Sequence, residues 1–260
     1  MLNIFTHKSN FVANNCEVVK GNFDDYKKLR EYHYVIGDPV CIRGIYKVRV
    51  RWPKTQIFPD PIAVIVYAVP INEWKARNVA TKNYFLQWQN KSERQTMINR
   101  YITYIARIIV DPRFHRQGIA SFLISETLKL QPSCIIETMT PLDHTSKLFS
   151  KFGFHQFEQA TPERYARCQN ALEKVGIHPD VWHMPEFVQS RIDLLSRHYH
   201  AYIHKEIKKF VKQFRHREYM YPGILRTRYL CSKIVYPNAY QIYFNPENPL
   251  PNFDCRPFYS

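Results

Sequence analysis

The clearest chemical feature of this chain is a loop between an apolar run and an amphipathic pattern. Residues 101–110 are mostly apolar and lead into Arg113-Phe114-His115-Arg116-Gln117-Gly118-Ile119-Ala120, after which a helix pattern begins. Backbone N–H groups are unpaired at the start of a helix and the helix dipole is positive there, which favours an anion. Gly118 lets the backbone approach a ligand closely, and Ala120 keeps the first turn small. The loop therefore predicts a site for a phosphate-bearing ligand.

Two charged residues interrupt the apolar strand patterns on either side of this loop. Glu137 lies in the pattern of residues 133–139, where a carboxylate that borders a cleft could act as a general base. Arg107 lies just before the loop, and a buried arginine at that position would need an anion or a carboxylate as partner. Outward exposure is the alternative for both residues, and the sequence leaves it open.

A second group of candidates is Glu31-Tyr32-His33-Tyr34, at the end of the first predicted helix. His33 shares a helix face with Tyr26 and Leu29 at offsets of seven and four. A histidine on an apolar face is most often a hydrogen-bonded core residue, so a catalytic role is only one interpretation of this pattern.

The surrounding pattern predicts the elements that must hold these residues. Asn22 can cap a helix that runs to about Tyr34, with acidic residues in its first turn. Strand–helix–strand units imply parallel pairing, so we expect an α/β fold with a mixed sheet flanked by helices. Its predicted segments are strands over 41–50, 62–69, 100–110, 133–139 and 154–157, a helical and irregular stretch over 72–94, and helices over 116–130 and 143–151.

The composition changes after about Thr161, where the alternating strand patterns end. Residues 1–160 are therefore predicted to form the sheet domain, and residues 161–260 a basic, aromatic-rich helical extension. Within the extension, residues 185–217 indicate one long helix or a broken pair with an apolar stripe for core packing. Residues 237–260 indicate an irregular arm.

His200 and His204, in the extension, are spaced one helical turn apart, as a metal site would require. No Glu or Cys accompanies them at motif spacing, so a solvated face that contacts phosphate is the favoured interpretation. No metal ligand is predicted, and a metal requirement is left open. The six cysteines form no CxxC pair and are expected to be free thiols.

The net charge limits the classes of partner. Lys and Arg number 37 against 22 Asp and Glu, a formal charge of +15. Such a surplus predicts attraction to polyanions, nucleic acid above all, while a generally basic surface is the simpler explanation. No signal-peptide pattern and no run of ~20 apolar residues is present, so we expect a cytoplasmic protein without a membrane span.

The loop resembles motif A of the GCN-five-related N-acetyltransferase (GNAT) superfamily, which is an Arg or Gln, two residues, a Gly, one residue, and a Gly or Ala. Here His115 stands at the first position, Gly118 at the glycine and Ala120 at the last. Asp111-Pro112 and Phe114 match the usual approach, and residues 148–154 (LFSKFGF) resemble the closing "GF" signature. The resemblance covers about residues 18–157.

This resemblance implies an acyl-CoA donor, with acetyl-CoA as the first candidate. The pantetheine arm would pair with the backbone of Ile108 and Val110 and would lie between two splayed strands, residues 108–110 and 135–138. The pyrophosphate would bind the backbone N–H groups of Arg116, Gln117, Gly118, Ile119 and Ala120. A tight strand–helix turn without any ligand is the alternative.

The resemblance also implies catalytic positions. In the family a base, often a Glu, deprotonates the amine, and a Tyr in the last helix often protonates the leaving thiolate. Glu137 is the candidate base, and the position of that Tyr is occupied by Phe149. His33 and Tyr34 belong to the wall on the acceptor side in the fold that the chain resembles, and they complete the catalytic candidates. The candidate substrate ligands are Arg107, Arg77 and Asn78.

A His–Tyr pair there, an Arg before the loop and Arg77-Asn78 resemble one branch of the superfamily, which contains the Mom-type phage DNA-modification proteins. Mom-type proteins modify adenine in DNA. Together with the charge, this favours an acyl-CoA-dependent N-acyltransferase that acts on or near nucleic acid. The alternatives are an acetyltransferase of a small amine or a protein, and a nucleic-acid-binding protein on the same fold that has lost catalysis. The oligomeric state is left open.

Overall fold

The computed structural model describes residues 15–33, 37–51, 58–70, 74–140, 145–158, 160–214, 220–235 and 239–258. Tyr34, one of the predicted catalytic residues, lies outside these described residues. The chain divides into two compact units. The sheet unit contains those described residues that lie within 15–33, 38–158 and 239–258, and the helical unit contains residue 37 and those that lie within 160–235.

A mixed sheet forms the sheet unit, with seven strands in the described part of the chain. They are β1 (Cys16–Lys20), β2 (Ile42–Val50), β3 (Ala63–Ala68), β4 (Ile102–Val110), β5 (Ile135–Thr140), β6 (His155–Glu158) and β7 (Ala239–Phe244). Their order is β1-β2-β3-β4-β5-β7-β6, and all neighbours are antiparallel except β4 and β5. The predicted α/β class with a mixed sheet is confirmed.

β3 shows why the sheet lies between two apolar layers. All six of its residues are buried, and its sequence is continuously apolar apart from one tyrosine hydroxyl. Ile65 and Tyr67 belong to one hydrophobic cluster, while Val64 and Val66 belong to another. Because successive side chains of a strand point to opposite faces, these clusters cover the two faces of the sheet. A strand that is covered on both faces has no polar alternation.

The helices of the sheet unit fill these two layers. They are α1 (Phe23–Leu29), α2 (Lys75–Ala80), α3 (Lys91–Tyr101), α4 (Ile119–Leu128) and α5 (Thr145–Ser150). Leu123 of α4 packs in the cluster that contains Ile65 and Tyr67, and Tyr26 of α1 packs in the cluster that contains Val64 and Val66. α2 packs against β7 and β6.

The first helix begins where its sequence predicts. The Asn22 side chain accepts a hydrogen bond from the Asp25 backbone N–H (3.0 Å), and the Asp25 carboxylate accepts one from the Asn22 backbone N–H (3.1 Å). This reciprocal pair is a capping box, which satisfies N–H groups that a helix start leaves free. The helix is shorter than predicted, because it ends at Leu29 and a 3₁₀ turn over Arg30–Tyr32 follows.

The assignment of the C-terminal end to the helical extension is corrected by the position of β7. Ala239–Phe244 was expected in an irregular arm, but it forms a strand between β5 and β6. Its sequence, AYQIYF, contains two tyrosines, an isoleucine and a phenylalanine, which are residue types of high strand propensity. Residues 160–238 are therefore an insertion between two strands of the sheet, and the chain leaves and re-enters the sheet at Glu158 and Ala239, which pair with each other.

The helical unit contains α6 (Glu163–Lys174), α7 (Pro185–Asp193), α8 (Arg197–Val211) and α9 (Ile224–Ile234). Of the two interpretations of residues 185–217, one long helix or a broken pair, the described residues show the broken pair, with a break between Asp193 and Arg197. The four helices surround their own apolar cluster, which includes Cys168, Ile192, Ile207 and Leu230. None of the helices in the described ranges has the length and apolar character that would let it span a membrane.

Candidate active site

β4 and β5 pair over only a short stretch before they separate. Ile102–Tyr104 pair in parallel with Ile135–Glu137, and the ladder ends there although the strands continue to Val110 and Thr140. One side-chain bond follows, from Thr138 Oγ1 to the Ile105 carbonyl (2.9 Å). Beyond that bond, the strand partner of β4 within the described residues is β3 alone.

A β-bulge explains the separation. Val66 of β3 pairs with Arg107 and Tyr67 pairs with Ile105, so Ala106 is an extra residue in β4. A bulge bends its strand and increases the local twist, which turns the end of β4 away from β5. Alternate backbone groups of residues 106–110 then face the space on the β5 side. We call this space, between residues 106–110 and 138–140, the strand gap.

The loop after β4 is held by a buried carboxylate. Asp111 accepts hydrogen bonds from the Arg113 backbone N–H (3.0 Å) and from Arg113 Nε (3.0 Å) and Nη2 (2.7 Å). These bonds from Arg113 hold the pKa of Asp111 below its ordinary value despite the burial of the carboxyl. Arg113 therefore stabilises the conformation of the loop, whereas the exposed Arg116 adds positive charge to the surface of the loop.

The start of α4 combines a left-handed loop with a helix N-terminus that has no side-chain cap. Arg116 and Gly118 both adopt left-handed backbone conformations, with φ of 61° and 82°. The helix begins directly after Gly118 without a side-chain cap, so the backbone N–H groups of its first turn have no intrahelical acceptor. A Cβ atom at position 118 would meet no atom within 4 Å, which shows that the space beside the loop is open.

The residues that the sequence predicted to bind the donor lie along one continuous path. Ile108 and Val110 are on the bulged end of β4, and the Val110 carbonyl accepts a hydrogen bond from His115 Nε2 (3.0 Å). The loop and the first turn of α4 carry the remaining candidates: Arg116, Gln117, Gly118, Ile119 and Ala120. The path runs from the strand gap to the positive end of a helix.

Glu137 is part of a buried ion pair at the point where the two strands separate. Its carboxylate accepts hydrogen bonds from Arg77 Nε (2.9 Å), Arg77 Nη2 (2.5 Å) and the Tyr240 hydroxyl (2.7 Å). Glu137 is 0% exposed and Arg77 is 1% exposed. Burial alone would lower the pKa of Arg77, but the adjacent Glu137 carboxylate raises it above its ordinary value.

An aromatic layer encloses this pair. Trp74 lies edge-on to Tyr104 and Tyr240, with ring centroids 5.4 and 5.7 Å apart, and the Arg77 guanidinium lies 5.5 Å from the Trp74 ring. Burial raises the pKa of Tyr240 well above its ordinary value, and the Glu137 charge raises it further. Tyr240 is therefore a permanent donor to the carboxylate. The burial of Glu137 and Arg77 and their bonds to each other argue against their predicted roles as base and substrate ligand.

Arg107 lies at the bulge, next to the strand gap. Its Nη1 donates to the Ala106 carbonyl (2.7 Å), and its guanidinium also bonds to the hydroxyl of Tyr26 in α1. Burial raises the pKa of Tyr26, while the Arg107 charge offsets part of that increase. Because the side chain of Arg107 is only half-buried, one side of it remains accessible from the surface.

His33 is placed differently from the sequence prediction. Tyr26 and Leu29 are buried on the inner face of α1, but His33 follows the 3₁₀ turn in an extended conformation and is half-buried. This 3₁₀ turn packs against β4, the strand that carries the bulge, and His33 is the next residue after the turn. Asn78 lies in α2, half-buried, and its backbone N–H donates to the Trp74 carbonyl (3.3 Å).

Phe149 is a core residue. It stands at the position where the family that the sequence resembles often has a tyrosine that acts as general acid. It is buried and its ring meets that of Phe154 edge-to-face at 5.0 Å. On the same face, two buried side-chain oxygens, Thr140 Oγ1 and Gln241 Oε1, have no hydrogen-bond partner within the part of the chain that the structure describes. Buried polar atoms are usually satisfied, so a polar ligand group or water is the expected partner.

The His200–His204 pair of the helical unit is arranged for a chain of hydrogen bonds. The two Nε2 atoms are 3.0 Å apart, and Arg226 Nη2 donates to His204 Nδ1. A donor at Nδ1 leaves the proton of the neutral ring on Nε2, which makes that nitrogen unsuitable as a metal ligand. Burial, and then the charge of Arg226, lower the pKa of His204 to about 4. The described residues contain no group of three or more side chains suited to hold a metal ion.

Sequence reasoning did not find the partners of Glu137. Tyr240 is 103 positions away from Glu137 and Arg77 is 60 positions away, and no spacing rule joins residues at such distances. The strand pattern of residues 239–244 is the one signal that could have placed Tyr240 in the sheet.

No protein-family model matches this chain, and no curated protein matches it. Several solved structures do. NAA60 of Arabidopsis thaliana, in complex with acetyl-CoA, aligns over 55% of this chain and 88% of its own, with 13% identity and a TM-score of 0.40. A GNAT family acetyltransferase from Elizabethkingia anophelis with acetyl-CoA bound aligns over 56% and 79%, with 15% identity and a TM-score of 0.34. The ribosomal-protein-S18-alanine N-acetyltransferase of Escherichia coli aligns over 56% and 79%, with 12% identity and a TM-score of 0.33. Identities and TM-scores this low establish neither a family nor a function for the chain.

Proposed function

We propose that this protein is an acyl-CoA-dependent N-acyltransferase of the GNAT type that acts on or near nucleic acid. One observation carries the proposal: the bulge at Ala106 opens the strand gap directly before a left-handed loop and the start of α4. In the family that the sequence resembles, the cleft for the pantetheine arm comes directly before the loop that binds the pyrophosphate. The strand gap and the loop follow each other in the same order. The cytoplasm is the compartment that we propose for it.

The donor is held mainly by backbone groups. The N–H groups from Arg116 to Ala120 bind the pyrophosphate of acyl-CoA, with acetyl-CoA as the first candidate, because the helix start has no side-chain cap and is the positive end of α4. The first turn of α4 contains no acidic residue that would repel a phosphate. The arm of the donor pairs with the backbone of Ile108 and Val110 in the strand gap.

The acyl transfer uses few side chains. The amine nitrogen of the acceptor attacks the thioester carbonyl, the new C–N bond forms, the C–S bond breaks, and the CoA thiolate leaves. His33 takes the proton that the amine loses, since it follows the turn that packs on β4. Tyr34 stays a catalytic candidate from the sequence alone. Arg107, at the bulge, and Asn78 contact the acceptor.

Nucleic acid is the proposed carrier of the acceptor amine because the chain has a formal charge of +15. A Mom-like modification of a DNA base is the narrowest form of this proposal. A small amine or a protein is the alternative acceptor. Phe149 is a buried phenylalanine and offers no general acid at that position. This favours a third candidate, a nucleic-acid-binding protein on this fold without catalytic activity.

A glycine pair tests the donor site. Gly118 and Gly176 have nearly the same left-handed φ, 82° and 77°, and a Cβ atom at either position meets nothing within 4 Å. Alanine at each position therefore adds a similar backbone strain, about 1 kcal/mol. Acetyl-CoA binding, measured by calorimetry, should weaken in Gly118→Ala and be nearly abolished in Gly118→Glu, while Gly176→Ala should bind like the wild type. Equal binding by all variants would refute the donor site.

A transfer assay tests the acceptor. The protein is incubated with labelled acetyl-CoA and DNA, RNA or a panel of polyamines, and the position of the label is determined. Label on a nucleobase supports the proposal, and label only on polyamines supports the alternative acceptor. His33→Ala should reduce the rate without changing acetyl-CoA affinity. Donor binding without transfer to any acceptor would favour the non-catalytic candidate.

A further inference from the structure

The outer face of α8 carries positive charge without any acidic residue. Its exposed side chains include Lys205 and Lys208, an exposed Arg197 begins the helix, and the exposed Lys212 is its C-cap residue. The single carboxylate of this helix, Glu206, is buried and accepts hydrogen bonds from Arg167 Nε (2.6 Å) and from the Lys209 ammonium group (3.0 Å). The negative charge of α8 is therefore neutralised on its inner side, and its solvent face presents cations.

Three of these lysines form a stripe, which we call the lysine stripe. Lys205, Lys208 and Lys212 follow one another at offsets of three and four, so they lie on one side of the helix. With a rise of about 1.5 Å per residue, the stripe is about 10 Å long. One strand of duplex DNA presents a phosphate about every 3.4 Å along its axis, so about three phosphates lie within this length.

The burial of the inner face of α8 argues against insertion of this helix into a membrane. An amphipathic helix binds a bilayer by inserting its apolar face between the lipids. Here the apolar side chains of that face, among them Ile203, Ile207 and Phe210, are buried in the core of the helical unit and are not available for insertion. Only the charged face can meet a partner, which favours a highly charged polymer.

The positive surface continues from α8 onto α6. Arg164 and Arg167 of α6 are exposed, and with Lys209 they line an open depression of about 270 Å³ between the two helices. Glu163 and Glu206 lie in the same depression and offset part of this charge. Since Lys209 adjoins the lysine stripe, the depression extends the same basic surface within the helical unit.

We infer that the lysine stripe binds the phosphates of a nucleic-acid backbone, with no preference for base sequence. Lysine is a flexible point charge that neutralises phosphate without reading base edges. The inference deepens the proposed function and rests on it in treating nucleic acid as the carrier of the acceptor amine. Electrostatic attachment of this kind keeps the helical unit on the polymer while the acceptor base is selected elsewhere.

Fluorescence anisotropy of the full chain tests this inference. Labelled single-stranded DNA, duplex DNA and RNA of several sequences are titrated at salt concentrations from 50 to 200 mM. The triple variant Lys205→Gln/Lys208→Gln/Lys212→Gln should bind at least about tenfold more weakly at low salt, and the slope of log affinity against log salt should decrease by about 2, at ~0.7–0.9 per lost contact. Replacement of the same three lysines by arginine should preserve the affinity and the slope.

A matched control removes the same charge from the sheet unit. Lys27, Lys28 and Lys129 are exposed lysines of that unit, and their replacement by glutamine should leave the slope unchanged. Equal losses in both triple variants, or no binding at 50 mM salt, would overturn the inference. Preferential binding to anionic phospholipid vesicles would overturn it as well. Acetyl-CoA binding is measured on each variant, so that a protein that binds nucleic acid but not acetyl-CoA refutes the proposed function and leaves the lysine stripe standing.

Discussion

Breaking the Arg77–Glu137 ion pair should lower the free energy of unfolding of the protein, and not only its activity. Arg77→Met removes the cation and keeps an apolar side chain of similar length, so Glu137 is left with the Tyr240 hydroxyl. Removing one partner of a buried pair leaves an uncompensated charge and typically costs about 3–5 kcal/mol. The two hydrogen bonds that Arg77 donates, at 2.9 and 2.5 Å, give a similar figure at about 1.5–3 kcal/mol each.

Thermal unfolding followed by circular dichroism measures this loss. For a chain of about this size, about 2–4 °C in Tm corresponds to 1 kcal/mol, so a decrease of roughly 6–20 °C is expected. Arg77→Met/Glu137→Leu should be less destabilised than the sum of its single variants, because an apolar replacement of the whole pair leaves no buried charge. Arg49→Met is the control, since its bond to Glu17 (2.6 Å) lies at the surface with both side chains partly exposed, and its loss should cost less than about 1 kcal/mol.

Two results would refute this reasoning. Additive losses in the double variant would show that Arg77 and Glu137 are not coupled. A Glu137→Gln protein of unchanged stability whose transfer rate falls by about a hundredfold or more would return Glu137 to the role of catalytic base.

Other predictions follow from single residues. Because the pKa of His204 is lowered to about 4 from 6.5, the folded state binds fewer protons than the unfolded state between these values, and stability should decrease as pH falls from 6.5 to 4. The loss should be about 1–2 kcal/mol after allowance for partial exposure, and His204→Asn should show a flatter dependence of urea unfolding on pH. A thiol reagent should modify the exposed Cys41 first and Cys168 slowly, since burial raises the pKa of Cys168 to about 12; equal rates would contradict the burial. Asn22→Ala should lower the unfolding free energy by about 1 kcal/mol by removing the cap of α1, whereas an unchanged value would mean that water replaces the cap.

Elements whose signals are local were predictable. The cap at Asn22, the buried strand β3 and the helix after Gly118 all depend on residues within one or two turns of each other. The order of strands and helices over residues 41–158 followed from such patterns. The turn after Leu29 was missed, because the choice between α-helix and 3₁₀ turn there depends on packing against β4.

The candidate site was predictable in part for the same reason. Arg116 to Ala120 are adjacent in the chain, so their convergence at a helix start could be read from residue types and order. The pairing of β7 between β5 and β6 could not, because 80 residues separate β6 from β7 (159 to 238) and pairing over such a separation leaves no periodic signal.

The sequence by itself determined the glycine-containing loop before α4, the mixed sheet and the basic surplus, since glycine placement, strand propensity and charge are properties of neighbouring residues or of composition. Only the tertiary structure decided what the charged residues of the strands do. Glu137 lies in an apolar strand in either interpretation, but Arg77 and Tyr240 reach it from 60 and 103 positions away and turn a candidate base into a buried ion pair. A buried charge requires a partner, and the fold alone determines which distant residue supplies it.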